Sequence, residues 1–155
     1  MYNKNKNAMI EISGDNMKYM GLDLGTKTLG ISISDLTKTI ATNYKTLYFD
    51  NEDYNSLIEP LKIIIEKENI EKIILGYPKN MNNTIGPRAQ ITEEFKDKIE
   101  KNLNIEVILQ DERLTSVISN NVLIEANVSR KKRKKKVDGI AAVIILQSYL
   151  DKKGD

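Results

Sequence analysis

Between residues 18 and 24 the side chains alternate, with Met20, Leu22 and Leu24 on one face and Tyr19, Gly21 and Asp23 on the other. Residues 29–34 alternate again, setting Leu29, Ile31 and Ile33 opposite Gly30, Ser32 and Ser34. The short Gly25-Thr26-Lys27-Thr28 connection makes the two segments an antiparallel hairpin, and residues 39–49, rich in Thr, Ile, Tyr and Phe, predict a third strand. The period then changes. Leu57, Ile58, Leu61, Ile64 and Ile65 mark a helix face whose start is constrained by Pro60. Residues 71–77, with Ile73-Ile74-Leu75, read as a buried strand ending at Pro78, and an Asn- and Gly-rich loop leads to Pro87. A helix is predicted over about 88–102 with Ile91, Phe95 and Ile99 inward, then a strand over 105–109. Thr115 suits the N-cap of a helix running to about Ala126, and a last helix runs over 137–150. Its expected apolar stripe is Val137, Ile140, Ala141, Ile144, Ile145 and Ser148, with Asp138 at the border.

The order β-β-β-α-β-α-β-α-α predicts an α/β fold: a five-stranded mixed sheet, three antiparallel meander strands plus two parallel strands, with helices on both faces. The 155 residues suit one domain, expected over residues 17–155 behind a flexible extension, residues 1–16, that shows no period.

Composition narrows the chemistry. The chain has neither cysteine nor histidine, which excludes a thiol nucleophile, disulfides, Cys/His zinc sites and Ser-His catalysis. Carboxylates, lysines, hydroxyls and backbone dipoles remain, and an enzyme built from them is best suited to an oxygen-loving ion such as Mg²⁺ or Mn²⁺. The net charge of +2 conceals an asymmetry. Arg130, Lys131, Lys132, Arg133, Lys134, Lys135 and Lys136 are consecutive, and without them the chain would be net negative. Such a block suits a polyanion. No apolar run reaches the ~18 residues of a membrane span, so a cytoplasmic protein with no membrane partner is expected.

Acidic residues at three distant places give this toolkit a focus. Asp23 lies inside the first strand, beside Gly21 and opposite the small residues Gly30 and Ser32; it is either a functional carboxylate in open space or a cap for the following turn. Asp111 and Glu112 end the last strand on opposite faces, so one of them shares the face of Asp23 and the other meets solvent or a cation such as Arg113. Asp138 opens the last helix, where the helix dipole alone would favour it. Together these acids can gather round one or two divalent ions that activate water and stabilise the leaving oxygen of a phosphodiester. The cation block beside them would hold a nucleic-acid backbone.

Four segments carry a family likeness. Residues 21–31 (GLDLGTKTLGI), 76–89 (GYPKNMNNTIGPRA), 111–115 (DERLT) and 138–147 (DGIAAVIILQ) resemble, in order, the motifs of the YqgF family, whose members are described as pre-16S rRNA nucleases or Holliday-junction-resolvase-like proteins. The resemblance implies a ribonuclease H-like fold and a magnesium-dependent (or Mn²⁺-dependent) endonuclease site on Asp23, Glu112 and Asp138, which would be both catalytic and metal-binding. It also implies a cytoplasmic role in maturing the 5′ end of small-subunit ribosomal RNA, with structured precursor rRNA and the small-subunit precursor as partners. Lys27, Asn80, Arg88 and Arg113 would contact phosphate or orient the carboxylates, alongside the cations 130–136. Three residues depart from the family pattern: Asn83 in place of Gly, Thr28 in place of a second basic residue, and Ala141 where related resolvases carry another acid. Alternative readings are a Holliday-junction DNA resolvase, a non-catalytic RNA-binding ribosome assembly factor, and an ATP-binding phosphotransfer protein.

Overall fold

The computed structural model describes residues 16–78, 86–111 and 130–153, with side chains of the last stretch described from Ile140 to Lys152. Five strands, β1 (Lys18–Leu24), β2 (Thr28–Ser34), β3 (Ala41–Tyr48), β4 (Ile70–Tyr77) and β5 (Glu106–Asp111), form one sheet in the order β3-β2-β1-β4-β5. The β1–β2 and β2–β3 pairs are antiparallel; β1–β4 and β4–β5 are parallel. This is the mixed sheet that the alternation predicts. Helices α1 (Ile58–Glu68), α2 (Pro87–Leu103) and α3 (Arg130–Lys153) complete the described chain, with a 3₁₀ turn at Tyr54–Leu57 before α1. Pro60 falls in the first turn of α1, where its missing N–H costs nothing. The expected helix over 115–126 and the expected extension over 1–16, Asn16 apart, lie outside the described residues.

Alternation along the strands divides the sheet between two apolar layers. Met20, Leu22, Leu24, Leu29, Ile31, Ile33, Ile73 and Leu75 pack with Leu57, Leu61 and Ile64 of the α1 region and with Phe95 and Ile99 of α2. On the opposite face Tyr19, Ala41 and Ile74 pack against Ile145, Leu146 and Leu150 of α3. Both α1 and α2 stop on an asparagine in the left-handed region, Asn69 (φ 55°) and Asn104 (φ 53°), so each helix gives way within two residues to the next parallel strand.

The last helix differs from expectation in start and in phase. It begins at Arg130, so the cation block forms its first two turns and Asp138 stands well inside it. The helix-dipole explanation for Asp138 therefore falls away. The buried positions are Ala141, Ala142, Ile145, Leu146 and Leu150, whereas Ile140, Ile144 and Ser148 are only half-buried. The helix is turned to bring Ala142 and Leu146 onto the sheet.

The α2–β5 return is held by Glu100, whose carboxylate accepts the Val107 N–H (3.1 Å) and the Lys96 ammonium (3.1 Å). The backbone N–H lowers its pKa most; partial burial opposes this and Lys96 adds to it. A lowered folded pKa means stability that is present above the unfolded value of 4.5 and lost as pH falls through the folded one. Between about pH 5 and pH 3 the wild type should therefore lose more stability in urea titrations than Glu100→Gln does.

Candidate active site

Asp23 lies one residue from the end of β1, half-buried and paired in register with Gly30 of β2. The pairing residue, Gly30, is buried and has no side chain. Gly21 and Ser32, the next register pair on this face, show what covers it. A Cβ built on Gly21 would stand 2.4 Å from Ser32 Oγ, 2.7 Å from Leu146 Cβ and 2.9 Å from the Ala142 carbonyl oxygen. The Ser32 hydroxyl donates to that same carbonyl at 2.7 Å. Helix α3 thus touches the backbone of β1, and Asp23 is on the face it crosses.

The helix runs against β1 with a defined direction. Its Tyr149 ring meets Tyr19 at the start of the strand (6.0 Å between centroids), while Leu146 and Ala142 meet Gly21 two residues on. Gln147 fixes the same end: its Oε1 accepts the Ala41 N–H at 2.9 Å and its Nε2 donates to the Thr39 carbonyl at 2.9 Å. Moving toward the helix N-terminus therefore means moving along β1 toward Asp23. Position 138 continues the series 142, 146, 150 by one turn.

Asp111 sits elsewhere. It pairs in register with Tyr77, and the Tyr77 hydroxyl donates to Glu93 of α2, which also raises the tyrosine pKa. The pair belongs to the α1/α2 face, in phase with Val107 and Leu109, and Asp111 is exposed. Of the two adjacent acids, the one described is on the face opposite Asp23; Glu112, Arg113 and Asn80 lie outside the described residues.

Lys27 is exposed in the β1–β2 connection, its carbonyl accepting the Phe49 N–H at 3.0 Å. Arg88, in the first turn of α2, is half-buried and donates to the Leu24 carbonyl at 2.9 Å and to the Tyr54 hydroxyl at 3.3 Å. The cations 130–136 are in α3, N-terminal to Asp138 on the same helix. Among the described residues no group of three acidic side chains gathers; Glu112 and the side chain of Asp138 lie outside them. Of the three carboxylates expected to hold a cation, the structure describes the side chain of Asp23, an oxygen donor that is half-buried. Three contributors carry no sequence signal for their roles: Ser32 as donor to the helix backbone, Gln147 as bridge to β3, and Tyr54 as partner of Arg88. Each depends on a contact between residues at least 34 positions apart.

The RuvX family, described as Holliday junction resolvase, matches residues 17–152. The chain belongs to this family. It is the YqgF family to which the four motifs point, and its members are nucleases. A protein of Shouchella clausii named "Putative pre-16S rRNA nuclease" is 47% identical over 136 residues, covering 88% of this chain and 96% of its own. The protein of the same name from Oceanobacillus iheyensis is 48% identical over 137 residues, covering 88% and 100%. Among solved structures, Thermus thermophilus RuvC in complex with a Holliday junction substrate shares the fold, with TM-score 0.54, 10% identity and coverage of 89% of this chain and 96% of that one. The Fowlpox virus resolvase with Holliday junction DNA gives TM-score 0.52 at 18% identity, covering 90% and 100%. The ribonuclease H-like fold expected for the RuvX/YqgF motifs is thereby established.

The contact at Gly21 makes a direct prediction. Gly21→Ala should push α3 from the sheet and destabilise the protein by about 1–3 kcal/mol, read as a lowered midpoint in chemical denaturation.

Proposed function

We propose that the chain is a metal-dependent endonuclease that acts on structured precursor rRNA in the cytoplasm, with Asp23, Glu112 and Asp138 as its catalytic and metal-binding carboxylates. The observation that carries this reading is the course of α3 over β1. From Gly21 to Asp23 the strand advances about 6.6 Å, and from Ala142 to Asp138 the helix advances about 6 Å in the same direction. The contact at Gly21 supports pairing two acids 115 positions apart, since it directs the part of α3 that holds position 138 along β1 toward Asp23. Asp111, in phase with Tyr77, leaves the next position, Glu112, to supply the third.

The donor set is carboxylate oxygen alone, which suits Mg²⁺ or Mn²⁺. Such an ion, when bound, supplies an activated water and charge stabilisation for the leaving oxygen. The chain's own part is to hold the carboxylates on rigid elements and to keep the phosphodiester beside them. The cation block retains the phosphodiester. Seven positive charges at the N-terminal end of a helix oppose both the dipole and one another, and a polyanion relieves that cost. Lys27, Asn80 and Arg113 add phosphate contacts or orient the acids. RNA rather than a DNA junction is favoured by the names of the relatives that match this chain at 47–48% identity. Among the described residues no helix is long and apolar enough to cross a membrane.

Asp23→Asn and Asp138→Asn should each abolish Mg²⁺- or Mn²⁺-dependent cleavage of a precursor-rRNA fragment while leaving RNA affinity within a few-fold, and Asp111→Asn should cleave normally. Wild-type rates in the first two variants would overturn the assignment; binding without wild-type cleavage would favour an assembly factor, and faster cutting of four-way DNA junctions a resolvase. Changing Lys131, Lys132, Lys134 and Lys135 to Gln should weaken RNA binding and flatten its dependence on log salt by about 0.7–0.9 for each phosphate no longer neutralised.

A further inference from the structure

Strands β1 and β4 part company before they end. Their ladder runs from Lys18–Ile70 to Leu22–Leu75 and stops; beyond it β4 stays with β5 as far as Tyr77–Asp111, while β1 stays with β2 as far as Leu24–Leu29. Chain connections also change direction here, since β2 and β3 lie to one side of β1 and β4 and β5 to the other. Asp23 is therefore on a strand end supported from one side only.

The hydrogen-bond phase shows which group is left open. The Gly25 N–H donates to the Thr28 carbonyl at 2.8 Å, making 25–28 the hydrogen-bonded pair and 24–29 the non-bonded one. The Leu24 carbonyl thus points away from β2, to the side that β4 has vacated. Arg88 Nη2 fills that place at 2.9 Å. The second arm of the guanidinium, Nη1, reaches the hydroxyl of Tyr54, whose ring is wedged between Phe49 (5.5 Å) and Phe95 (6.2 Å).

We infer that Arg88 is a positioning residue: its planar fork replaces the missing strand, ties the carbonyl next to Asp23 to the aromatic cluster, and so holds the Asp23 carboxylate in place for the reaction. The inference rests on the nuclease reading of Asp23. It gives Arg88 a role other than gripping phosphate, because two of its arms are engaged with the protein. Lysine carries the charge without the fork and cannot do both.

The full-length chain, Arg88→Met and Arg88→Lys decide it through amide hydrogen exchange and steady-state cleavage of a precursor-rRNA fragment with Mn²⁺. In both variants the Asp23 and Gly25 amides should exchange at least about tenfold faster while those of Met20 and Leu22 keep their rates. The kcat should fall roughly 10–100-fold with KM within about twofold, and lysine should not rescue it. Unchanged exchange, faster exchange at unchanged kcat, or a loss confined to KM and rescued by lysine would each overturn the inference, the last making Arg88 a phosphate contact. Faster exchange in the variants of a wild type that cuts nothing would instead sink the nuclease reading and leave the clamp standing.

Discussion

The contact on which the rest of the molecule depends is backbone against backbone. Helix α3 meets β1 where Gly21 has no side chain, and the Ser32 hydroxyl closes the contact on the Ala142 carbonyl. In the apolar layers, side chains of similar volume can exchange at modest cost. Here a single methyl group has nowhere to go. The contact sets how deep the helix lies, fixes its rotation by selecting Ala142 and Leu146 as the inward residues, and, with Gln147 and Tyr149 at the far end, fixes its direction. An element separated from β1 by over a hundred residues is thereby aligned with it.

The strands are largely readable in the sequence because their information is local. Alternation in residues 18–24 and 29–34 separates the two faces, and a burial pattern with Leu22 and Ile31 on one side and Gly21 and Ser32 on the other follows it. Helix α2 is legible to within a residue at each end, since Pro87 and the spacing of Phe95 and Ile99 both act over a turn or less. The last helix is legible in existence but not in start or phase. Seven like charges read as a separate block, and an apolar count favours Ile144 over Ala142. A count of that kind weighs size, whereas the packing at Gly21 selects smallness.

The site is legible to a different degree. Asp23 stands out because a carboxylate in an apolar strand needs a reason, and Gly30 opposite it is visible by counting. The face of Asp111 is not, because it turns on the register of β5 against β4, which sets Asp111 beside Tyr77 and in phase with Val107 and Leu109. The roles of Ser32, Gln147 and Tyr54 lie beyond reach for the same reason: each is half of a long-range pair, and neither half is unusual by itself.

The two asparagine helix ends have an outcome for the layout of the whole chain. Asn69 leads directly into β4, and Asn104 reaches β5 after one more residue, so the returns from helix to parallel strand take only one and two residues. At the other pole the parallel strands β1, β4 and β5 end at Leu24, Tyr77 and Asp111. One pole is thus sealed by short joints, and the strand carrying Asp23 ends at the opposite pole. With so little slack in the joints, a residue added after either helix would have to shift the strand that follows it, so the frame beneath Asp23 keeps its dimensions.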